Sequence, residues 1–176
     1  MVSVMPYFKK KTGRKRGSDE RRTWIDKLDK VFSLYIRMRD SREYHFRYFR
    51  CISCGQVKPF DMMDCGHFVS RNVMALRFNE QNCSGECSHC NRFDGSHLIG
   101  YRKNLIIKLG RDAIKGSAVA ESLSGDKKLM LIRKIGTQKV EALEARKHET
   151  KKWDVSELKE LYMYYAALVV EMKNGV

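Results

Sequence analysis

Apolar side chains recur at steps of three and four residues between positions 19 and 42, which predicts an amphipathic helix. Ser18 is a suitable N-cap residue for this helix. Asp19 and Glu20 place negative charge in its first turn, where the helix dipole favours an acidic side chain. We expect one stripe of the helix to face a core, and that stripe consists of Trp24, Leu28, Val31, Tyr35 and Met38.

Three short segments that follow have the alternation or aromatic content of extended structure. Residues 44–55 predict a short strand that enters a tight turn, and residues 63–70 predict a second strand. Residues 74–78 fit either a third extended piece or a loop. The β structure is therefore predicted to lie between the first helix and a group of later helices.

Helical spacing returns beyond residue 97. The apolar residues between positions 98 and 109 predict a helix that ends at Gly110, since glycine commonly stops a helix. A second glycine, Gly136, is predicted in the same way to separate two helices. The three short helices expected after Gly110 cover residues 112–123, 127–135 and 139–148.

The last helix has a clear start signal, because Asp154 and Glu157 have the spacing of a capping box. Its inward positions are predicted to be Leu158, Leu161, Tyr165 and Leu168. Residues 105–114 (LIIKLGRDAI) resemble residues 131–140 (LIRKIGTQKV). A single echo falls short of the three repeats that a solenoid needs, so we interpret it as chance or a small insertion.

Charge points to a polyanionic partner. The chain carries 35 Lys and Arg against 21 Asp and Glu, a formal net charge of +14. A positive excess of this size is typical of nucleic-acid binding, although an inert basic surface is the alternative. No run approaches the ~18 apolar residues of a membrane span, and the N-terminus lacks the apolar region of a secretory signal. We therefore expect a soluble cytoplasmic protein without a membrane partner.

The cysteines indicate zinc. Cys51-x-x-Cys54 and Cys87-x-x-Cys90 are two knuckles, and four thiolates complete a tetrahedral structural zinc site. An alternative ligand set would include Cys65 or Cys83. Otherwise Cys65 is a spare buried thiol.

Length and charge divide the chain into four parts. With 176 residues, it fits one domain with helical extensions. We divide it into a basic mobile tail over residues 1–17, an N-terminal helix over 18–45, a zinc-bound core over 46–110 and a helical C-terminal region over 111–176. The tail contains the run KKKTGRKRG, which we expect to contact a polyanion.

A second constellation overlaps the cysteines. His67 lies in the second predicted strand, Asn82 precedes the second knuckle, and Asn91 follows it directly. This order is the second half of an HNH nuclease motif, in which an imidazole accepts a proton from water and polar side chains hold a hard divalent ion. By spacing alone, a zinc ribbon that binds DNA without cutting it explains the same residues equally well.

The segments CGHFVSRNVMALRFNEQN and ECSHCNRFDGSHLIGYRKNL resemble the phage NinG family, also called Rap. The later segments IGTQKVEALEARKH and KKWDVSELKELYMYYAALVVEMK are similar to the tail of that family, so the resemblance covers residues 50–172. The resemblance implies a phage recombination nuclease that cuts branched DNA such as Holliday junctions and D-loops. The zinc-held core is also similar to recombination endonuclease VII.

The resemblance also assigns roles to side chains. It implies that His67 is the general base, that Asn82 orients His67 and that Asn91 is a ligand of the catalytic metal. Asp64 is a candidate for a further ligand of that metal, with His97 or Glu80 as alternatives, and we expect the metal to be Mg²⁺ or Mn²⁺. The side chains predicted to contact phosphate, with ordinary surface charge as the alternative for each, are Arg71, Arg77, Arg92, Arg102 and Lys103.

These inferences predict an α+β protein with a zinc-stapled ββα-metal, HNH-like core flanked by several helices. The predicted function is metal-dependent hydrolysis of phosphodiester bonds in branched DNA, with structural Zn²⁺ and a homodimer as the expected assembly. Two other classes remain open: a non-catalytic zinc module that binds DNA, and an adaptor whose C-terminal helices dock phage or host recombination proteins.

Overall fold

The computed structural model describes residues 16–175. The predicted basic tail therefore lies outside the described residues, apart from residues 16 and 17, which belong to the first helix. No helix within the described range is both long and apolar enough to cross a membrane.

The first helix, α1, runs over Arg16–Ser41 and packs against the last helix, α6, over Val155–Asn174. The predicted stripe of α1 faces this contact: Leu28, Tyr35 and Met38 are buried, and the other two residues of the stripe pack against the same cluster. Asp154 caps α6 in a capping box, as its spacing predicted. Apolar periodicity therefore located both helices and their buried faces. The predicted N-cap at Ser18 is wrong, because α1 already begins at Arg16.

Within residues 16–175, four short strands form two separate antiparallel pairs. Strand β1 (Tyr48–Arg50) pairs with β2 (Val57–Pro59), and β3 (Met63–His67) pairs with β4 (Cys83–Cys87). A short helix, α2 (Ser88–Phe93), follows β4 directly. Residues 74–78 form turns within the loop between β3 and β4, so they belong to a loop and not to a third strand. The order β3, β4, α2 is a strand–strand–helix unit.

Three further helices connect this unit to α6. They are α3 (His97–Ile114), α4 (Ala118–Glu121) and α5 (Gly125–Ala145). The predicted helix ends at Gly110 and Gly136 are wrong, because α3 and α5 each continue through their glycine. The predicted helix over residues 112–123 is divided by a turn, and the predicted boundary at residue 110 falls inside α3.

The two glycines mark the place where α3 and α5 cross. A Cβ atom on Gly110 would lie 2.0 Å from the carbonyl oxygen of Ile132, and one on Gly136 would lie 1.8 Å from that of Ile106. The two similar segments of the sequence are therefore the two halves of one close helix contact.

Buried side chains form two main clusters on either side of the strand pair β3–β4. One joins α1 to α6 through residues such as Leu28, Phe32 and Leu158. The other joins α3 to α5 through residues such as Tyr101 and Val140. The fold is thus α+β, mostly helical with two small sheets, and the predicted fold class is confirmed at that level.

Candidate metal centres and cleft

The two cysteine knuckles converge on one point. Cys51 and Cys54 lie in the turn after β1, Cys87 ends β4, and Cys90 lies one turn into α2. Their four sulfur atoms all lie within 4.8 Å of one another. The set of four cysteines predicted from spacing is therefore assembled, and it does not include Cys65 or Cys83.

Local backbone geometry explains why the first knuckle is so tight. Gly55 has a φ of +72°, and its amide donates to the carbonyl of Cys51 at 2.9 Å. The amide of Cys87 donates to the sulfur of Cys51 at 3.3 Å, which links the two knuckles. Burial raises the pKa of Cys51 to about 11, so a thiolate here needs a cation to stabilise it. Four sulfur donors this close together fit zinc, and a zinc ion bound here would supply that charge and tie β1, β4 and α2 together.

A cleft of about 440 Å³ opens beside this centre, between α1 and the strand–strand–helix unit. Asp64, Cys65 and His67 line it from β3, and Asn91 and Arg92 line it from α2. The opposite side is formed by α1 and the loop after β3, which contribute Asp29, Lys30, Phe32, Ser33 and Arg71. The cleft runs along β3, so residues from both faces of that strand border it.

Asp64 is the polar centre of the cleft. Its carboxylate accepts a hydrogen bond from the side-chain amide of Asn91 at 3.1 Å, and both carboxylate oxygens accept from the guanidinium of Arg92 at 2.9 Å. Because the NH₂ group of Asn91 faces Asp64, the amide oxygen of Asn91 stays available as an acceptor or ligand. Two of the predicted metal ligands, Asp64 and Asn91, are therefore in direct contact.

His67 is held by a backbone carbonyl. Its Nε2 atom lies 3.0 Å from the carbonyl oxygen of Arg77. A carbonyl can only accept a hydrogen bond, so Nε2 carries the proton and Nδ1 keeps its lone pair. Burial lowers the pKa of His67 below its ordinary value, which favours the neutral imidazole. The ring is thus a neutral proton acceptor at the wall of the cleft.

Asn82 stabilises the loop that follows β3. Its side chain is fully buried, accepts from the amide of Val69 at 2.7 Å and donates to the carbonyls of Val69 and Leu76 at 2.9 and 3.2 Å. Within the described residues it makes no hydrogen bond to His67. The predicted orienting role therefore falls to the carbonyl of Arg77, and Asn82 holds the loop that carries this carbonyl.

His97 lies elsewhere. Its Nδ1 atom is 2.7 Å from Glu86, a fully buried carboxylate that also accepts from the hydroxyl of Ser53. Among the described residues that line the cleft, His97 is missing, so the structure does not place it with Asp64 and Asn91. Glu80, another acid near the motif, accepts from the hydroxyls of Tyr35 and Tyr165 and has a structural role.

The basic residues predicted to contact phosphate divide by exposure. Arg71 and Arg92 border the cleft with more than half of each side chain exposed, although they pair with Asp29 and Asp64. Arg77 is only 13% exposed and pairs with Asp29, so it is a structural residue.

The remaining basic residues lie on helices. Arg102 pairs with Glu144 of α5, and Lys103 lies exposed on α3. Lys30 of α1 borders the cleft but was missed by sequence reasoning, which interpreted α1 only as a packing element.

The fold and the cysteine centre define a basic α+β protein with a candidate zinc site and an adjoining polar cleft. A family model described as "Bacteriophage Lambda NinG protein" matches residues 8–128, and the chain belongs to the NinG family. The matched range contains both knuckles and every cleft residue named above. Membership of the NinG family, inferred from the motifs, is thus confirmed over residues 8–128. The likeness of the tail beyond residue 128, the similarity to recombination endonuclease VII and the nuclease activity stay predictions.

Individual proteins of the same family are also similar to this chain. The chain is 33% identical over 102 residues to protein ninG of Escherichia phage lambda, and 32% identical over 102 residues to protein ninG of Salmonella phage P22. Each alignment covers 57% of this chain and 47% of the relative. The chain therefore spans about half the length of the curated relatives it matches. No solved structure matches the chain significantly.

Proposed function

We propose that this chain is a metal-dependent endonuclease that hydrolyses phosphodiester bonds in branched DNA. The observation that carries the proposal is the meeting of Asp64, Asn91 and His67 in one cleft, with Nδ1 of His67 left free by the bond from Nε2 to Arg77. The preference for branched DNA rests on the resemblance to phage recombination nucleases.

His67 acts as the general base. With Nε2 protonated and bonded, the lone pair on Nδ1 accepts the proton of a water molecule that attacks the scissile phosphorus. The lowered pKa keeps this ring neutral near pH 7, so no proton has to leave before the reaction starts. The carbonyl of Arg77 holds the productive tautomer and fixes the plane of the ring.

Asp64 and Asn91 would hold the catalytic ion. A carboxylate and an amide oxygen are donors that Mg²⁺ or Mn²⁺ accepts. Such an ion, when bound, stabilises the negative charge on the phosphate and on the leaving oxygen. Arg92 pairs with both oxygens of Asp64, so its exposed guanidinium must turn away when the ion binds, and a DNA phosphate is its natural new partner.

The basic residues at the rim of the cleft guide the DNA backbone. Lys30, Arg71 and Arg92 surround the proposed reacting centre from three elements. The net charge of +14 adds a general attraction for polyanions. We assign these three side chains to the bound phosphates and retain Lys103 as an additional contact on α3.

Binding and cleavage of labelled DNA, measured in one set of incubations, test the proposal. Purified protein is incubated with four-way, flapped and linear duplex DNA, each with Mg²⁺, Mn²⁺ or EDTA. The branched substrates should be cleaved in the presence of a divalent ion and should remain intact with EDTA. Binding of four-way DNA without cleavage under any divalent ion would instead establish a non-catalytic zinc module.

An adaptor function is the second candidate, and one observation favours it. The outer face of α6 carries the exposed apolar side chains of Met163, Tyr164 and Val170. Exposed apolar residues on one helix are suited to a protein partner. An adaptor would bind a recombination protein but would neither cut DNA nor require His67.

A further inference from the structure

A second group of metal-binding side chains lies beside the proposed active site. Cys65 and His67 are two residues apart in β3, and Cys83 lies directly across from His67 in β4. Two sulfur atoms and one ring nitrogen from these residues lie within 4.8 Å of one another. This Cys65–His67–Cys83 group shares no residue with the four-cysteine centre.

We infer that the Cys65–His67–Cys83 group binds a thiophilic metal ion such as Zn²⁺, and that this ion switches off the proposed nuclease by occupying His67. The inference rests on the proposed function for its regulatory part only. The metal-binding part stands on the geometry of the strand pair.

The donor set and its surroundings fit zinc. A Zn–S distance of about 2.3 Å and tetrahedral angles place two sulfur ligands roughly 3.8 Å apart, so only a small contraction of the group is needed. Cys83 is fully buried in the cluster that joins α1 to α6, whereas Cys65 and His67 border the cleft. The cleft therefore supplies water as the fourth ligand, as in zinc sites that keep one open position.

Arg39 donates a hydrogen bond to the carbonyl of Cys83 at 2.8 Å and brings a positive charge to this side of the group. Burial raises the pKa of the Cys83 thiol well above its ordinary value, and the positive charges of Arg39 and Lys108 oppose this effect only in part, so the bound ion itself must stabilise the thiolate. Two thiolates and one Zn²⁺ carry no net charge, so the ion does not add to the positive charge already present. Mg²⁺ and Mn²⁺ prefer oxygen donors and are not expected to compete for this group.

Zinc binding and base catalysis exclude each other for a simple chemical reason. A neutral imidazole has one N–H proton and one free lone pair. If zinc takes Nδ1, the lone pair that accepts the proton from water is lost. If zinc takes Nε2, the ring proton moves to Nδ1 with the same result. Either geometry removes the base from the cleft.

The first test measures metal and not activity. Protein that holds only the four-cysteine zinc is titrated with Zn²⁺ in the presence of a phosphine reductant, and again with Co²⁺ to follow thiolate-to-cobalt absorption. Wild type should bind one additional ion. Cys65 is half-buried, so its replacement should be tolerated. The Cys65→Ser variant and the Cys65→Ser/Cys83→Ser variant should both lose this second ion and keep the first.

Saturation of the wild type at one ion per chain would overturn the inference, as would undiminished binding of a second ion by a folded Cys65→Ser variant. Far-UV circular dichroism identifies the folded variants, and the single variant keeps the test valid if the buried Cys83→Ser change prevents folding.

The second test measures cleavage at a fixed Mg²⁺ concentration while Zn²⁺ is added. Each protein is compared with its own rate without added zinc. Wild type should slow by about 100-fold at saturation, the low end for loss of a general base. The Cys65→Ser variant should resist zinc.

Equal inhibition of wild type and variant would overturn the regulatory part. If no protein cuts DNA at all, the proposed function fails, while the metal titration still decides the existence of the second site.

Discussion

Gly136 of α5 lies directly against the backbone carbonyl of Ile106 of α3, so close that a Cβ atom would approach the carbonyl oxygen to 1.8 Å. In the reciprocal contact, Gly110 of α3 lies against the backbone carbonyl of Ile132 of α5. The two helices therefore touch through backbone on both sides of their crossing. This crossing fixes α5 against α3, the helix that follows the strand–strand–helix unit.

Replacement of Gly136 by alanine should destabilise the protein. Alanine gains roughly 1 kcal/mol over glycine in helix propensity, but overpacking against a fixed carbonyl costs about 1–3 kcal/mol. The matched control is Gly125→Ala at the start of the same helix, where a Cβ atom would meet nothing within 4 Å. Urea unfolding should show Gly136→Ala less stable than Gly125→Ala. Equal stability of the two variants would mean that the helices can move apart freely.

The crossing also shows what the sequence could and could not predict. Periodicity located α1 and α6, and ligand spacing located the cysteine centre, because both signals lie within short stretches of chain. A glycine looks the same whether it ends a helix or allows a second helix to approach, so α3 and α5 were divided wrongly. Only their packing reveals the difference.

The cleft was predictable in part for the same reason. Asp64, His67 and Asn91 belong to a local motif and were identified. The group that holds His67 is the backbone carbonyl of Arg77, which no side-chain motif records. Lys30 comes to the cleft through the packing of a distant helix, and that contact has no local sequence signal.

The four-cysteine centre should hold about one tightly bound zinc per chain, by the ligand count of a structural site. Cys51→Ser or Cys87→Ser should lose this zinc and unfold the core, because metal site and fold form together. Cys65→Ser is the control and should keep it. Elemental analysis after washing with a weak chelator gives the stoichiometry. A folded Cys51→Ser protein with its zinc retained would contradict the assignment.

Asp40 is predicted to be a major electrostatic support of the fold. Its carboxylate accepts hydrogen bonds from Lys108 at 2.7 Å, from Arg39 at 2.7 Å and from the amide of Gly85 at 2.8 Å, and only 12% of the side chain is exposed. Asp40→Asn should cost about 3 kcal/mol, the low end for breaking a buried ion pair, since Lys108 loses its carboxylate partner while Arg39 keeps Glu80 at 3.9 Å. The exposed pair of Arg102 and Glu144 provides the control, and Glu144→Gln should cost less than about 1 kcal/mol.

The effect of Asp40 should depend on pH. Burial alone would raise the pKa of Asp40, but Lys108 and Arg39 hold it well below its ordinary value of 3.8. A carboxyl group with a lowered pKa stabilises the folded state above its ordinary pKa, and this contribution disappears as pH falls through the lowered value. Thermal unfolding should therefore show a constant gap between wild type and Asp40→Asn near neutral pH, and a smaller gap below pH 3.8. A gap that persists unchanged in acid would argue that the carboxylate charge is unimportant.

The acid limb of DNA cleavage should report the environment of His67. The base must be neutral to accept a proton, and burial lowers its pKa below the ordinary value of 6.5. The midpoint of the acid limb should therefore lie below pH 6.5. The pH dependence of kcat/KM on four-way DNA measures this limb. A midpoint above 6.5 would indicate a base that is exposed or stabilised as its cation.

The most direct measurement of the central claim is single-turnover cleavage of labelled four-way DNA by wild type and His67→Ala, with junction binding measured in parallel. His148→Ala is the control, since His148 is exposed and lies outside the cleft. The His67→Ala variant should bind the junction as wild type does but cut it at least ~100-fold more slowly, because the base acts only in the transition state. His148→Ala should cut at the wild-type rate. Cleavage by His67→Ala at the wild-type rate would contradict the proposed active site.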